Sequence, residues 1–166
     1  DGRTEGAQIG PLITKKALEK VQDHVSDAIE KGAKVITGGD IDKAGLQFYQ
    51  PTVIKDINNK MKIYYEETFG PVAPLVKFDN EEEVIKMAND TKYGLAGYFY
   101  SRDIGRIWRM AEELEYGMIG VNAGVISSEV APFGGVKESG VGREGAAEGI
   151  DEYLETKYIA IDGVDH

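Results

Sequence analysis

The chain has 166 residues and no cysteine, which excludes disulfide bonds, thiolate metal ligands and a cysteine nucleophile from within it. It also lacks any apolar run of about 18 residues, the length of a membrane-spanning helix. Basic residues are few, with 19 Lys and Arg against 29 Asp and Glu, so the formal net charge is −10. Because such a surface repels phosphate groups, we expect neither nucleic acid nor a membrane as a partner.

Glycine is plentiful instead, at 21 of 166 residues, and indicates many tight turns and close backbone approaches. With 42% hydrophobic residues the chain has enough apolar surface for a packed core. The sequence begins at Asp1 and shows no signal-peptide pattern. We therefore expect a processed or excised piece of a cytosolic-type protein, located in the cytoplasm.

The hydrophobic spacing predicts alternating helices and strands. Thr14 is a typical N-cap before an apolar stripe at helical spacing that ends at Gly32. The strands are predicted at 33–37, 46–57, 72–78, 93–101 and 118–122, and the later helices after Asn80, after Asp103 and over 144–153. Strand–helix–strand–helix–strand with short connections is typical of the α/β class, with a doubly wound, mostly parallel sheet.

Two segments carry candidate chemistry. Glu-Glu-Thr-Phe-Gly-Pro-Val at 66–72 places carboxylates beside an aromatic ring, an arrangement that suits a ribose; the alternative is a solvated acidic turn with one buried Phe. The glycine-rich segment 131–144 indicates backbone that passes close either to a ligand or to another segment. It lacks the strand-before, helix-after context of a dinucleotide glycine motif, so we do not interpret it as a phosphate site.

The two histidines offer no catalytic base for a Ser or Thr nucleophile. His24 is predicted on the polar side of the first helix, and His166 is the last residue. We expect both to be solvated, and we expect no metal site.

The two segments, together with Tyr-Gly-Leu-Ala at 93–96 and Gly-Met-Ile-Gly-Val-Asn at 117–122, resemble the NAD(P)-dependent aldehyde dehydrogenases. Ile-Ser-Ser at 126–128 and the ending at 153–159 are most similar to the succinate-semialdehyde branch. The resemblance implies that residues 1–153 are the C-terminal part of a catalytic domain of that type. It also implies that residues 154–166 are an oligomerisation strand and tail, and hence that the protein is a homo-oligomer.

At the cofactor end, the resemblance implies that Glu67 accepts hydrogen bonds from the nicotinamide ribose and that Phe69 packs beside the nicotinamide. Lys20 matches a lysine near the adenosine ribose, although the neighbouring polar position of the family is Ala17 here. The cofactor is NAD or NADP, and the choice stays open.

At the substrate end, Phe133 matches an aromatic that lines the aldehyde pocket. Ser127 matches the serine that helps to hold the substrate carboxylate, and Glu144 matches a glutamate proposed to relay protons. Arg143 is expected to be structural. Succinate semialdehyde and a near relative such as glutarate semialdehyde are not distinguished by these residues.

The implied reaction is thiolate attack on an aldehyde, hydride transfer to NAD(P)+, and hydrolysis of the thioester to the acid. The family's cysteine nucleophile and its general base lie upstream of the matched motifs, so we expect the isolated chain to be inactive. A second interpretation stays open, in which the chain is a stand-alone, non-catalytic binding or assembly module with the same fold.

Overall fold

A computed structural model describes residues 2–45 and 47–164. Leu46, within the predicted second strand, and His166 lie outside the described residues. The chain divides after Asp79 into two compact units.

The first unit contains two helices and a small mixed sheet. Its elements are α1 (Lys15–Glu30), β1 (Lys34–Thr37), β2 (Thr52–Lys55), α2 (Lys62–Tyr65) and β3 (Val72–Pro74). The strand order is β1-β2-β3, with β1 antiparallel and β3 parallel to β2.

Helix α1 begins where the sequence predicts. Thr14 has extended backbone and its hydroxyl accepts a hydrogen bond of 3.1 Å from the Ala17 N–H, which satisfies one free amide of the first turn. Its apolar stripe is buried, and the core residues of the unit come from α1, β2, α2 and the segments that flank them: Leu18, Val21, Val25, Ala28, Ala33, Tyr49, Ile54, Ile57, Met61 and Ile63.

The second unit is built on one strand–helix–strand crossover. Its elements are α3 (Glu81–Asn89), β4 (Ala96–Phe99), α4 (Ile104–Glu113), β5 (Met118–Val121) and two short 3-10 helices, Lys137–Ser139 and Glu148–Tyr153. Strands β4 and β5 pair in parallel. Asn80 and Asp103 cap α3 and α4 through their side-chain oxygens, as predicted.

The α/β class is confirmed, but the single sheet expected from the sequence is not what the described residues form. They form a three-stranded mixed sheet and a two-stranded parallel sheet. The third strand pairs with β2 because the turn at Gly70 and Pro71 brings it alongside, with Thr52 N–H donating to Pro71 O at 2.8 Å. It is also shorter than predicted and ends at Pro74.

The C-terminal segment differs from its prediction as well. The helix expected over 144–153 is reduced to the 3-10 helix Glu148–Tyr153. Residues 154–164 are exposed and pair with no strand in the part of the chain that the structure describes, so no oligomerisation strand is shown. Among the described helices, none combines the length and apolar character needed to cross a bilayer.

Candidate functional site

The segment 66–70 lies against α1 and is held there by a buried histidine. His24 is 1% exposed. Its Nε2 lies 3.2 Å from Glu66 Oε2, and its Nδ1 lies 3.1 Å from Thr68 Oγ1. The prediction that His24 is solvated is therefore wrong. His24 follows Val21 by three positions, which places it at the edge of the apolar stripe, and segment 66–68 covers that edge.

Gly70 brings the same segment into close contact with α1. A Cβ at Gly70 would lie 2.5 Å from Cγ2 of Val21, so a larger residue would push the segment off the helix. Just before it, Phe69 has a φ of 49°, in the left-handed region that non-glycine residues seldom adopt. The Phe69 ring is 80% exposed. The alternative of a turn with a buried Phe is therefore wrong.

Glu67 and Lys20 are exposed, and neither side chain has a partner among the described residues. Lys20 precedes His24 by one helical turn and so lies on the same side of α1. A free carboxylate can accept hydrogen bonds from paired hydroxyls, and an exposed ring offers a flat apolar surface. These groups fit the ribose and nicotinamide of a dinucleotide, so the carboxylate and the ring that the sequence singles out are both available to a ligand.

Segment 131–144 closes into a short hairpin that brings two predicted site residues together. Phe133 N–H donates to Glu144 O at 2.8 Å, and Glu144 N–H donates to Phe133 O at 2.7 Å. Residues paired in this way project their side chains to one face. Arg143 supports the hairpin by donating to the carbonyls of Gly135 and Gly142, at 2.9 and 2.7 Å, which confirms its structural role.

Glycines in and opposite this segment allow close approach to other backbone, as one of the two interpretations left open above expects. A Cβ at Gly117 would overlap with Gly134 O, and a Cβ at Gly135 would lie 3.2 Å from Gly94 O. A cavity of about 660 Å³ opens beside the hairpin, with Phe133, Arg143, Glu144 and Tyr153 among its lining residues. Ser127 is exposed in the loop after β5 and does not line this cavity.

Sequence reasoning missed two further residues that fix the hairpin. Lys137 Nζ donates to Asn89 O and Thr91 O, at 2.9 and 3.1 Å, and so occupies carbonyls at the end of α3. Ser139 Oγ accepts from Gly94 N–H at 3.0 Å. Both belong to the spacing Gly-Gly-x-Lys-x-Ser, which was the only signal available in the sequence.

Burial raises the pKa of Tyr116, whose hydroxyl donates to Ala88 O at 2.7 Å. Within the described residues there is no group of three or more His, Asp or Glu side chains able to hold a metal ion.

Residues 1–159 match the profile of the Aldehyde dehydrogenase family, and the chain belongs to that family. The similarity extends to close relatives of known name. The chain is 54% identical over 165 residues to a 3-sulfolactaldehyde dehydrogenase of Pseudomonas putida, covering 99% of this chain and 34% of that protein. It is 55% identical over 161 residues to the NADP(+) succinate-semialdehyde dehydrogenase GabD of Escherichia coli, covering 97% of this chain and 33% of that protein.

The fold is similar as well. The crystal structure of succinate-semialdehyde dehydrogenase from Burkholderia pseudomallei superposes with a TM-score of 0.89 at 56% identity, over 92% of this chain and 32% of that one. The chain thus spans about a third of the length of the relatives it matches.

Proposed function

We propose that this chain is the cofactor-placing and pocket-lining third of an NAD(P)-dependent aldehyde dehydrogenase that oxidises a small aldehyde bearing an anionic group, succinate semialdehyde first. The observation that carries the proposal is the pair Glu67 and Phe69. An unpartnered carboxylate and an exposed ring stand on a segment fixed to α1, at the family's cofactor motif.

At the cofactor end, Glu67 accepts hydrogen bonds from the ribose hydroxyls and Phe69 limits where the nicotinamide lies. Lys20, also exposed, serves the adenosine ribose. The bound dinucleotide, NAD or NADP, accepts a hydride from the substrate. Holding the nicotinamide in place matters because misplacing a reacting group by about 1 Å can cost on the order of 100-fold in rate.

At the substrate end, Phe133 forms an apolar wall, Ser127 donates to the anionic group, and Glu144 relays a proton. The names of the similar proteins support an anionic aldehyde, since one substrate is a sulfonate and the other a carboxylate. A serine hydroxyl donates to either group.

The chain contains no cysteine, so the nucleophile of the reaction comes from outside it. The isolated chain is therefore inactive on its own. In the longer protein, residues 1–153 belong to the doubly wound catalytic domain and residues 154–166 form the oligomerisation strand. The cytoplasm is the proposed location.

A chimera tests the proposal. The Escherichia coli enzyme keeps its upstream part and receives this chain in place of the aligned third; we call this protein the chimera. We expect it to oxidise succinate semialdehyde with NADP+, followed by absorbance of the reduced cofactor, while the isolated chain does not.

Two variants of the chimera test the cofactor end and the substrate end of the site separately. Glu67→Gln should raise KM for NADP+ about tenfold, because a hydrogen bond to a charged group is worth about 1.5–3 kcal/mol. Glu30→Gln, an exposed carboxylate on α1, is the matched control. Ser127→Ala should raise KM for succinate semialdehyde but not for an uncharged aldehyde, and Ser128→Ala should change neither. A folded chimera that binds no NADP+ would favour the stand-alone module instead.

A further inference from the structure

His24 contacts the residues on both sides of Glu67 in the chain. One ring nitrogen is 3.2 Å from the carboxylate of Glu66 and the other is 3.1 Å from the hydroxyl of Thr68. The ring satisfies both contacts when Nε2–H donates to the carboxylate and Nδ1 accepts from the hydroxyl of Thr68. The imidazole is thus the one group in the described chain that contacts both neighbours of Glu67 through polar atoms.

These two hydrogen bonds determine where the Glu67 side chain points. Glu66 has extended backbone, with φ −99° and ψ 136°. In extended backbone successive side chains point to opposite sides, so fixing the side chains of 66 and 68 on α1 turns Glu67 away from the helix. The exposure of Glu67 agrees with this direction.

The ring itself has little freedom to move. It is buried, as are Val21 and Val25 of the α1 stripe, and Gly70 packs directly on Val21 at the other end of the segment. A buried polar ring in this position costs free energy unless both nitrogens are paired, so its two hydrogen bonds tie the segment to a rigid helix.

We propose that His24 is a positioning residue, which orients the Glu67 carboxylate toward the nicotinamide ribose by holding Glu66 and Thr68. This inference rests on the proposed function of Glu67. Its consequence is selective: loss of the ring contacts should weaken cofactor binding and leave aldehyde binding unchanged.

The test uses the chimera with His24→Leu, which removes both hydrogen bonds, and His24→Gln, which keeps one donor and one acceptor. Val25→Ala is the control for stability, because Val25 is buried, follows His24 directly on α1 and has no hydrogen-bonding atom in its side chain. The readouts are NADP+ affinity by calorimetry, KM for each substrate, and thermal stability.

We expect His24→Leu to weaken NADP+ binding about tenfold through misplacement of the carboxylate. KM for the aldehyde should change less than twofold in the same variant, a smaller shift than a general loss of structure produces. His24→Gln should restore most of the affinity, and Val25→Ala should lower thermal stability without weakening NADP+ binding. Equal loss of affinity in Val25→Ala and His24→Leu would overturn the inference.

A double-mutant cycle tests whether His24 influences NADP+ binding through Glu67. If His24 acts through Glu67, His24→Leu should add little to the loss already caused by Glu67→Gln. Additive losses would overturn the inference and leave the role of Glu67 intact. An unchanged affinity in Glu67→Gln alone would instead overturn the proposed function.

Should His24→Leu fail to fold, Thr68→Val and Glu66→Ala remove the two contacts one at a time. Each should weaken NADP+ binding by less than His24→Leu is expected to, with KM for the aldehyde unchanged. If neither changes NADP+ affinity, the inference is wrong.

Discussion

Gly117 occupies a place in the second unit where two backbones meet. A methyl group there would overlap with the carbonyl oxygen of Gly134. Because both partners are main chain, neither can turn aside as a flexible side chain would. The glycine is needed for space rather than for backbone freedom.

We therefore expect Gly117→Ala to destabilise the chain by about 1–3 kcal/mol, the usual cost of overpacking. Urea unfolding followed by circular dichroism measures the change. Gly124→Ala is the control, since a Cβ at Gly124 would meet nothing within 4 Å. Equal midpoints for the two variants would show that the hairpin moves away at no cost.

At this scale the sequence singles out candidate residues from adjacent residue types, and their roles stay predictions. Glu67 and Phe69 are recognised from adjacent residue types, and their exposure agrees with a ligand-facing role. His24 was misjudged because a helical wheel shows which face is apolar, but not which distant segment covers the edge of that face. The contact between residues 24 and 66 depends on the fold of the intervening chain.

Helices α3 and α4 are joined by one carboxylate. Glu81, in the first turn of α3, accepts from Arg106 Nε at 2.9 Å and from Arg109 Nε at 2.8 Å, both on α4. The hydrogen bonds from Arg109 and then Arg106 lower the pKa of Glu81 below its ordinary value of 4.5. The ionised carboxylate therefore favours the folded state.

The sign of the pH dependence follows from this direction. Because the folded pKa of Glu81 lies below the unfolded value of 4.5, its contribution is complete above pH 4.5 and is lost as the pH falls through the folded pKa. Glu81→Gln should lower the midpoint of thermal unfolding at pH 7, and the difference from the parent chain should shrink below pH 4.5.

Glu82→Gln is the matched control, since Glu82 lies in the same first turn and shares its interaction with the helix dipole. If the difference in unfolding midpoint between Glu81→Gln and the parent chain did not depend on pH, the stabilisation would not come from the arginine hydrogen bonds. An equal effect of Glu82→Gln would contradict that assignment too.

The helix caps depend on local sequence, whereas the pairing of strands does not. The caps Thr14, Asn80 and Asp103 were predictable because a side chain and an amide three residues on decide them. The pairing of β3 with β2 was not, because the same apolar residues suit either neighbour and the turn at Gly70 and Pro71 decides. The 3-10 helix after residue 144 was not predictable either, because its form depends on tertiary contacts rather than on local sequence.

Over the whole molecule, large apolar side chains remain exposed. Trp108 is 64% and Tyr158 is 88% exposed. Other exposed apolar residues of the second unit include Ile104, Ile150, Tyr153, Leu154, Ile159 and Ile161. Apolar surface of this kind is typical of surfaces that are covered in an assembly.

We expect the isolated chain to self-associate into dimers or larger species, measured by light scattering and sedimentation velocity. Because each copy carries a formal charge of −10, added salt should strengthen the association by screening repulsion. The chimera at the same concentration is the control. A monomer at every concentration and salt level would contradict this expectation.

The reciprocal hydrogen bonds between Phe133 and Glu144 have a further consequence for solvent access. Each amide is protected by the carbonyl of the other residue, so an opening that exposes one amide to deuterium exposes the other. The two amides should therefore exchange at matched rates, as one cooperative opening. The ring and the carboxylate assigned to the substrate end would then be set in place, or released, in the same event.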